Sequence, residues 1–180
     1  MSKPARLHND RTSKVMTKVV LYNAISLDGF IAGEHDETPW SDEEWRAFQR
    51  FVKSCDACIL GRKTYEIMHK GGEFIDGPRY IVATSSNAGT GDYERIQIRS
   101  AGDLPRVDKI GLIGGGDLNG RLAEMNLIDE IILDVESMFL GTGTRLFGDH
   151  DIRPNLKFLS SVQLGPSTLQ THYEVMKLHG

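Results

Sequence analysis

The chain of 180 residues is long enough to bury one core and short for two, and 39% hydrophobic against 26% charged residues is ordinary for a globular protein in water. A formal net charge of -4 argues against a surface made to hold nucleic-acid phosphates, and no apolar run approaches a membrane span. Residues 1–17 carry basic side chains but no apolar stretch of the secretory kind, so they are expected to form a flexible tail before a single domain over 18–180 of a cytoplasmic protein.

Lys18 to Ile25 is a β-rich run, and Asp28-Gly29 marks a turn before apolar character resumes at Phe30-Ile31-Ala32. A helix is predicted to start at Ser41. Glu44 three residues on would complete a capping box, and Asp42, Glu43 and Glu44 suit the positive end of the helix dipole. Trp45, Phe48, Phe51 and Val52 repeat at helical spacing and should face inward. A short strand, Ala57 to Leu60, then gives way at Gly61 to a helix over Arg62 to Lys70, stopped by Gly71-Gly72. Strands are predicted at Arg79 to Thr84 and Arg95 to Ile98, with a helical turn at Ala101 to Leu104.

Next comes a strand–helix–strand unit. Lys109 to Ile113 is the first strand, Gly114-Gly115-Gly116 the turn, Asp117 to Asn126 the helix and Leu127 to Val135 an apolar second strand of the parallel, buried kind. Leu140 to Thr144 is a second glycine-rich loop, and Leu156 to Leu164 with Ser167 to Met176 reads as an antiparallel hairpin around Gly165-Pro166. The pattern is α/β: about eight strands, four helices between the early ones, and a mostly parallel sheet with an antiparallel edge.

Two of these helices begin after a glycine turn that follows a strand. Such N-termini present unpaired N–H groups and positive potential, and so suit phosphate. Two in one small sheet suit a dinucleotide. Arg62 and Lys63 beside the first are more cationic than a ribose hydroxyl needs and suit a 2′-phosphate, favouring NADPH over NADH. The alternative is that the glycines only end strands and the cations are solvated. No P-loop motif is present, and a Rossmann G-x-G-x-x-G starting at Gly114 fails at Asn119. Asp134 and Glu136 lie where a Rossmann protein keeps its ribose-binding acid, which leaves an NAD enzyme open as an alternative. Cys55 and Cys58 run from a helix into a strand, the reverse of a redox motif, and read as packing residues; the six histidines form no metal-spaced pair, so no metal is expected. Asp28, between apolar flanks after the first strand, is a candidate for the mouth of a sheet-edge cleft, against a plain Asp-Gly turn.

Tyr22 to Ala32 (YNAISLDGFIA), Gly61 to Glu66 (GRKTYE), Gly114 to Leu122 (GGGDLNGRL) and Leu140 to Phe147 (LGTGTRLF), in this order, resemble the dihydrofolate reductase superfamily. The nearest branch is the reductase domain of riboflavin biosynthesis, the RibD C-terminal type, with its small bacterial relatives. The resemblance covers residues 18–177. It implies a dihydrofolate-reductase-like three-layer fold with helices on both faces of the sheet, an NADPH-dependent oxidoreductase and a homodimer. It further implies that Gly61, Arg62, Lys63 and Thr64 hold the adenosine-side phosphates, and that Thr84, Ser85 and Ser86 line the adenine or 2′-phosphate pocket. Gly114, Gly115, Gly116, Asp117 and Leu118 would hold the pyrophosphate. Ala24, Ile25 and Ile31 would flank the nicotinamide, and Asp28, Glu44, Trp45 and Phe48 would face the substrate. Asp28 is the catalytic candidate, for orienting the substrate or relaying a proton.

In dihydrofolate reductases an acid on the first helix binds the pterin. The matching position here is Trp45 or, one residue earlier, Glu44. The Ser-Leu-Asp-Gly turn instead resembles the riboflavin-pathway reductases, whose substrate is a ribosylated aminopyrimidine phosphate, though the zinc-deaminase ligand sets that accompany them are absent from this sequence. The expected activity is hydride transfer from NADPH to a small heterocyclic or carbonyl substrate, a pterin or ribosylaminopyrimidine among the candidates. A domain that binds a nucleotide without turnover is the other class left open.

Overall fold

A computed structural model of the chain describes residues 17–85 and 93–177. The tail expected over residues 1–17 falls outside them except for Thr17. In chain order the elements are β1 (Lys18–Ser26), β2 (Phe30–Ala32), α1 (Asp42–Lys53), β3 (Ala57–Gly61), α2 (Arg62–Gly71), β4 (Arg79–Ala83) and β5 (Glu94–Ile96). After a 3-10 turn (Ala101–Asp103) come β6 (Lys109–Leu112), α3 (Gly116–Glu124), β7 (Glu130–Glu136), β8 (Thr144–Arg145), β9 (Leu156–Gln163) and β10 (Thr168–Val175).

Eight strands form one sheet in the order β5-β4-β3-β6-β1-β7-β10-β9, and β2 pairs separately with β8. From β5 to β7 every pairing is parallel; β10 runs antiparallel to both β7 and β9. The central strands are apolar on both sides, as parallel strands under helices must be: Val19 to Tyr22 and Ala57 to Leu60 are all buried. The faces carry separate cores. Leu118 and Leu122 of α3 pack with Leu21, Ile59 and Ile110 on one. Phe51 and Val52 of α1 pack with Tyr65 and Met68 of α2, Val20 and Leu60 on the other. Side by side on that face, α1 and α2 leave a space between them. Outermost, β9 is exposed along its whole length.

The order of strands places the working edge. From β3 the chain passes through α2 outward to β4; from β6, the neighbour of β3, it passes through α3 over the opposite face to β7. The two connections diverge between adjacent strands, and the crevice at the carboxyl ends of such strands is where open α/β sheets bind ligands.

Three local expectations need revision. Among the described residues there are three α-helices, each where one was expected, and the fourth expected helical segment, at Ala101 to Leu104, is a 3-10 turn. The strand predicted from Leu127 starts at Glu130: Asn126 takes a left-handed φ of 56°, which ends α3, and the connector is tied back by the Leu127 N–H to the Leu122 carbonyl at 2.9 Å. The capping box at α1 is half formed. The Ser41 hydroxyl accepts from the Glu44 N–H at 3.2 Å, but it is Glu136 of β7 whose side chain takes the Ser41 N–H, also at 3.2 Å. Glu44 is thereby free of the capping role.

Candidate active site

At the switch point the two glycine turns touch. The Gly61 N–H donates to the Gly114 carbonyl at 2.9 Å. Gly61 is the N-cap of α2 and Gly115 that of α3, and neither helix has a side-chain cap, whereas α1 is capped by Ser41. Two helix N-termini are thus open side by side, with unpaired N–H groups and positive potential. A Cβ on Gly61 would lie 3.7 Å from the Gly115 nitrogen, and one on Gly115 would meet the Thr64 hydroxyl at 3.3 Å. Without those methyls the cradle is bare backbone plus one hydroxyl. Gly116 is a glycine for another reason: its Cβ would stand 2.4 Å from the Arg145 carbonyl, so packing against the β8 segment forbids a side chain. The Gly114–Gly115 peptide is cis.

Arg62 and Lys63 are exposed at the start of α2. Arg62 pairs with Glu66 at 2.6 Å, one turn along, and Lys63 with Asp36 at 2.6 Å across the cleft mouth. Such exposed pairs are weak enough for an anion to replace.

From this cradle a cleft of about 690 Å³ runs between α1 and α2, a size ordinary for small-molecule and cofactor sites. Its far part is lined by Trp40, Glu44, Trp45, Phe48, Ile67 and Met68 over a floor of Tyr22 and Asn23. Tyr22, Phe48 and Trp45 form a continuous aromatic wall, with ring centres 5.7 and 5.6 Å apart. Glu44 is 5% exposed, yet its carboxyl has no hydrogen-bond partner among the described residues. Burial, reinforced by the neighbouring acids Asp134 and Glu136, raises its pKa from 4.5 to about 8. At neutral pH this carboxyl holds its proton and faces the cleft.

Asp134 and Glu136 lie side by side on β7 beneath α1, both buried and both satisfied. Asp134 accepts from the Tyr22 hydroxyl and from the Gln170 amide at 2.8 Å; Glu136 accepts from the Ser41 hydroxyl at 2.7 Å and the Thr168 hydroxyl at 3.0 Å. Burial raises the Asp134 carboxyl above the usual range and pushes the Tyr22 phenol up as well. Neither acid is left to hold a ribose hydroxyl, which removes the role a Rossmann reading gives them. The strand order differs from a Rossmann sheet too.

The sequence candidates divide. Ala24, Ile31, Gly61, Arg62, Lys63, Thr64, Thr84, Ser85, Gly114, Gly115, Gly116, Asp117 and Leu118 line the cleft with Glu44, Trp45 and Phe48. Ser86 lies outside the described residues. Ile25 does not line the cleft: it follows Ala24 on β1 and points to the other face of the sheet. Asp28 does not line it either. Its carboxylate accepts from the Ser26 hydroxyl at 2.6 Å and from the Gly141 and Leu140 N–H groups at 2.7 and 3.1 Å. The Ser26 hydrogen bond and then the backbone N–H groups hold its pKa down, to about 2. Asp28 is therefore the pin of the second glycine-rich loop, and it is not among the residues that line the cleft. Cys55 and Cys58 are buried free thiols; a Cβ on Gly111 would meet the Cys55 sulfur at 3.0 Å, so they fill the space that glycine leaves.

Sequence reasoning missed Tyr22, Trp40, Ile67, Met68 and Arg121. Periodicity carried a signal for four of them: Arg121 lies one turn after Asp117 and Leu118 on α3, Ile67 and Met68 one turn after Lys63 and Thr64 on α2, and Tyr22 two residues before Ala24 on β1. Trp40, in the segment before α1, is brought in by tertiary packing.

Comparison with known proteins places this geometry. The model of the RibD C-terminal domain matches residues 103–170. A Bacillus subtilis protein described as uncharacterized, YwjB, is 28% identical over 173 residues, covering 87% of this chain and 97% of its own. The fold is similar to that of Acinetobacter baumannii RibD, with TM-score 0.75 at 18% identity, over 91% of this chain and 59% of that one. It is also similar to that of dihydrofolate reductase from Enterococcus faecalis, solved with NADP(H), with TM-score 0.68 at 17% identity, over 89% of this chain and 97% of that one. The resemblance read from the four motifs stands, and the fold is the dihydrofolate-reductase-like α/β fold. Among the described residues no helix is long and apolar enough to cross a membrane, and no side-chain cluster suits a metal ion.

Proposed function

We propose that the chain is an NADPH-dependent reductase acting on a small ring or carbonyl compound in the α1–α2 cleft. One observation carries this reading: two uncapped helix N-termini meet at the switch point, and the cleft they open into is lined by the buried carboxyl of Glu44. The neighbours of known type support it, the RibD and dihydrofolate reductase folds among them. The cradle fits a dinucleotide. Backbone N–H groups of both helix starts and the Thr64 hydroxyl take the pyrophosphate, and Arg62 and Lys63, released from Glu66 and Asp36, take the 2′-phosphate. Ala24 and Ile31 give the nicotinamide an apolar seat. Bound there, the cofactor supplies hydride from C4 of its ring.

The chain itself supplies orientation and a proton. Trp45, Phe48 and Tyr22 hold a flat substrate and exclude water. Glu44, with its proton in place at pH 7, donates to the ring nitrogen or oxygen that gains charge as the adjacent carbon accepts hydride. That assigns the catalytic role to Glu44 rather than Asp28. The test is a titration of the purified protein with NADPH and NADH, followed by NADPH consumption over a panel of pterins, pyrimidines and carbonyl compounds. Preferred NADPH binding with turnover of at least one panel member is the expected result. NADPH binding without turnover of any would leave a nucleotide-binding domain, and no binding would end the reductase reading.

A further inference from the structure

An amide interrupts the apolar run of β1. Val19, Val20, Leu21, Tyr22 and Ala24 are buried, and Asn23 stands half-buried among them. A second amide, Asn119, is fully buried on α3. Asparagine is a poor helix former, and an amide in a core is costly unless partnered. Neither residue is what packing alone would select.

The two are joined. The Asn119 Nδ2 donates to the Asn23 Oδ1 and to the Leu146 carbonyl, both at 2.9 Å, while the Asn119 Oδ1 is buried without a partner. Turning the Asn119 amide over would set its oxygen against two other oxygens, so its direction is fixed and the orphan oxygen is the consequence. With its own oxygen held by Asn119, Asn23 turns its Nδ2 the other way. That nitrogen has no hydrogen-bond partner among the described residues, and Asn23 lines the cleft.

Gly114 shows where the nitrogen points. Its φ is 106°, and a Cβ there would meet the Asn23 Nδ2 at 3.6 Å and the Thr64 hydroxyl at 3.7 Å. Two side-chain donors, one from β1 and one from α2, converge on the space that this glycine keeps open. Such a pair suits an acceptor oxygen of a ligand. Strand order gives the side of the cradle. Thr84 and Ser85 follow β4, and β1 lies three strands away in the order β4-β3-β6-β1, roughly 14 Å at the usual spacing. A dinucleotide with its adenosine half at the start of α2 brings its other half to Asn23.

We infer that Asn23 binds the nicotinamide half of the dinucleotide, donating with Thr64 to an oxygen of its phosphate, and that Asn119 is the positioning residue that aims it. The inference rests on the dinucleotide reading of the glycine cradle.

Calorimetric titrations with NADPH and with adenosine 2′,5′-bisphosphate, which lacks the nicotinamide half, test it. Asn23→Ala should raise the Kd for NADPH about ten-fold, the worth of one hydrogen bond to a charged group. Asn23→Asp still accepts from Asn119 but sets a negative charge at the phosphate, and should raise it roughly thirty-fold or more. Both should leave the Kd for the bisphosphate within about two-fold of wild type, since distant contacts are independent. Asn119→Leu frees the Asn23 amide and should match Asn23→Ala within about two-fold, with little further loss when the two are combined. If that variant does not fold, the two Asn23 variants decide alone. An unchanged Kd for NADPH in both Asn23 variants overturns the inference, and so does an equal loss for both ligands, which is what a merely structural role would give. Failure of the wild type to bind NADPH would remove the reductase reading and this inference together, whereas NADPH binding that ignores Asn23 removes the inference alone.

Discussion

Asp28 and Glu44 are both acids at the start of a turn or helix, and their surroundings drive them in opposite directions. Asp28 sits at the rim, where one hydroxyl and two backbone N–H groups converge on its carboxylate and hold its pKa near 2. Glu44 sits in the first turn of α1 with no donor and with two acids nearby, and its pKa rises to about 8. The difference teaches that a role follows from what surrounds a carboxyl and not from the carboxyl. The donors make Asp28 a structural anchor; their absence raises the Glu44 pKa towards neutrality, as the general acid proposed above requires.

The largest effect that sharpens this contrast is on turnover. Glu44→Gln should lower kcat roughly 10² to 10⁴-fold, the usual worth of a general acid, while the Kd for NADPH moves less than two-fold. In the wild type kcat/KM should fall as pH rises through about 8, where Glu44 loses its proton. A Gln variant of undiminished kcat, or a flat profile from pH 6 to 9, would return the catalytic role to another group.

The same carboxyl couples stability to pH. Its folded pKa is raised above the ordinary 4.5, so the native state holds the proton more tightly than the unfolded chain. The stabilisation is present in full below about 4.5 and is lost as pH rises through about 8. Denaturant titrations at pH 5 and 9 should show the wild type losing roughly 2–4 kcal/mol more than Glu44→Gln over that interval. An equal loss in both proteins would mean that Glu44 is ionised in the fold.

The cofactor end breaks differently, because its glycines differ. At Gly61 φ is -74° and a Cβ finds ordinary contact, so Gly61→Ala should fold with a Tm within a few degrees of wild type. The methyl would nevertheless stand between the two helix starts, and the Kd for NADPH should rise about ten-fold, or roughly 1.4 kcal/mol. Gly116→Ala, with its Cβ 2.4 Å from the Arg145 carbonyl, should instead lower Tm outright. Thermal melts and NADPH titrations of the pair check this; equal Tm values would remove the distinction between a glycine kept for a ligand and one kept for packing.

The fold was legible in the sequence because its signals are local. Apolar runs of Val, Ile and Leu, the glycines ending them, and the Ser41 cap each depend on neighbours within a turn or a strand. The glycine cradle was legible for the same reason, since each turn announces itself beside its own strand and helix. The substrate end was less so. Glu44 reads as a capping partner in sequence, and only the Glu136 side chain of a distant strand, taking over the Ser41 N–H, leaves it for the cleft. Asp28 reads as an acid for the mouth of a cleft or as part of a plain Asp-Gly turn, and only the loop at Leu140 and Gly141, far along the chain, turns it into an anchor. Long-range contacts that reassign a polar group leave no periodic trace.

The smallest expected effect closes the comparison from the Asp28 side. Asp28→Asn keeps the side chain's shape but halves its capacity to accept from the three donors gathered on it. The 140–141 loop should loosen, seen as faster hydrogen exchange at the Leu140 and Gly141 amides. Because Asp28 lies off the cleft lining, kcat and the Kd for NADPH should stay within three-fold of wild type. The pH sign is opposite to that of Glu44: the folded pKa is depressed, so the anchoring is present above the ordinary 3.8 and is lost as pH falls through about 2. The Asn variant should therefore match the wild type's amide exchange most closely in strong acid and differ most at neutrality. A hundred-fold loss of kcat in this variant, with amide exchange unchanged, would show that the rim acid and the buried acid had been given each other's roles.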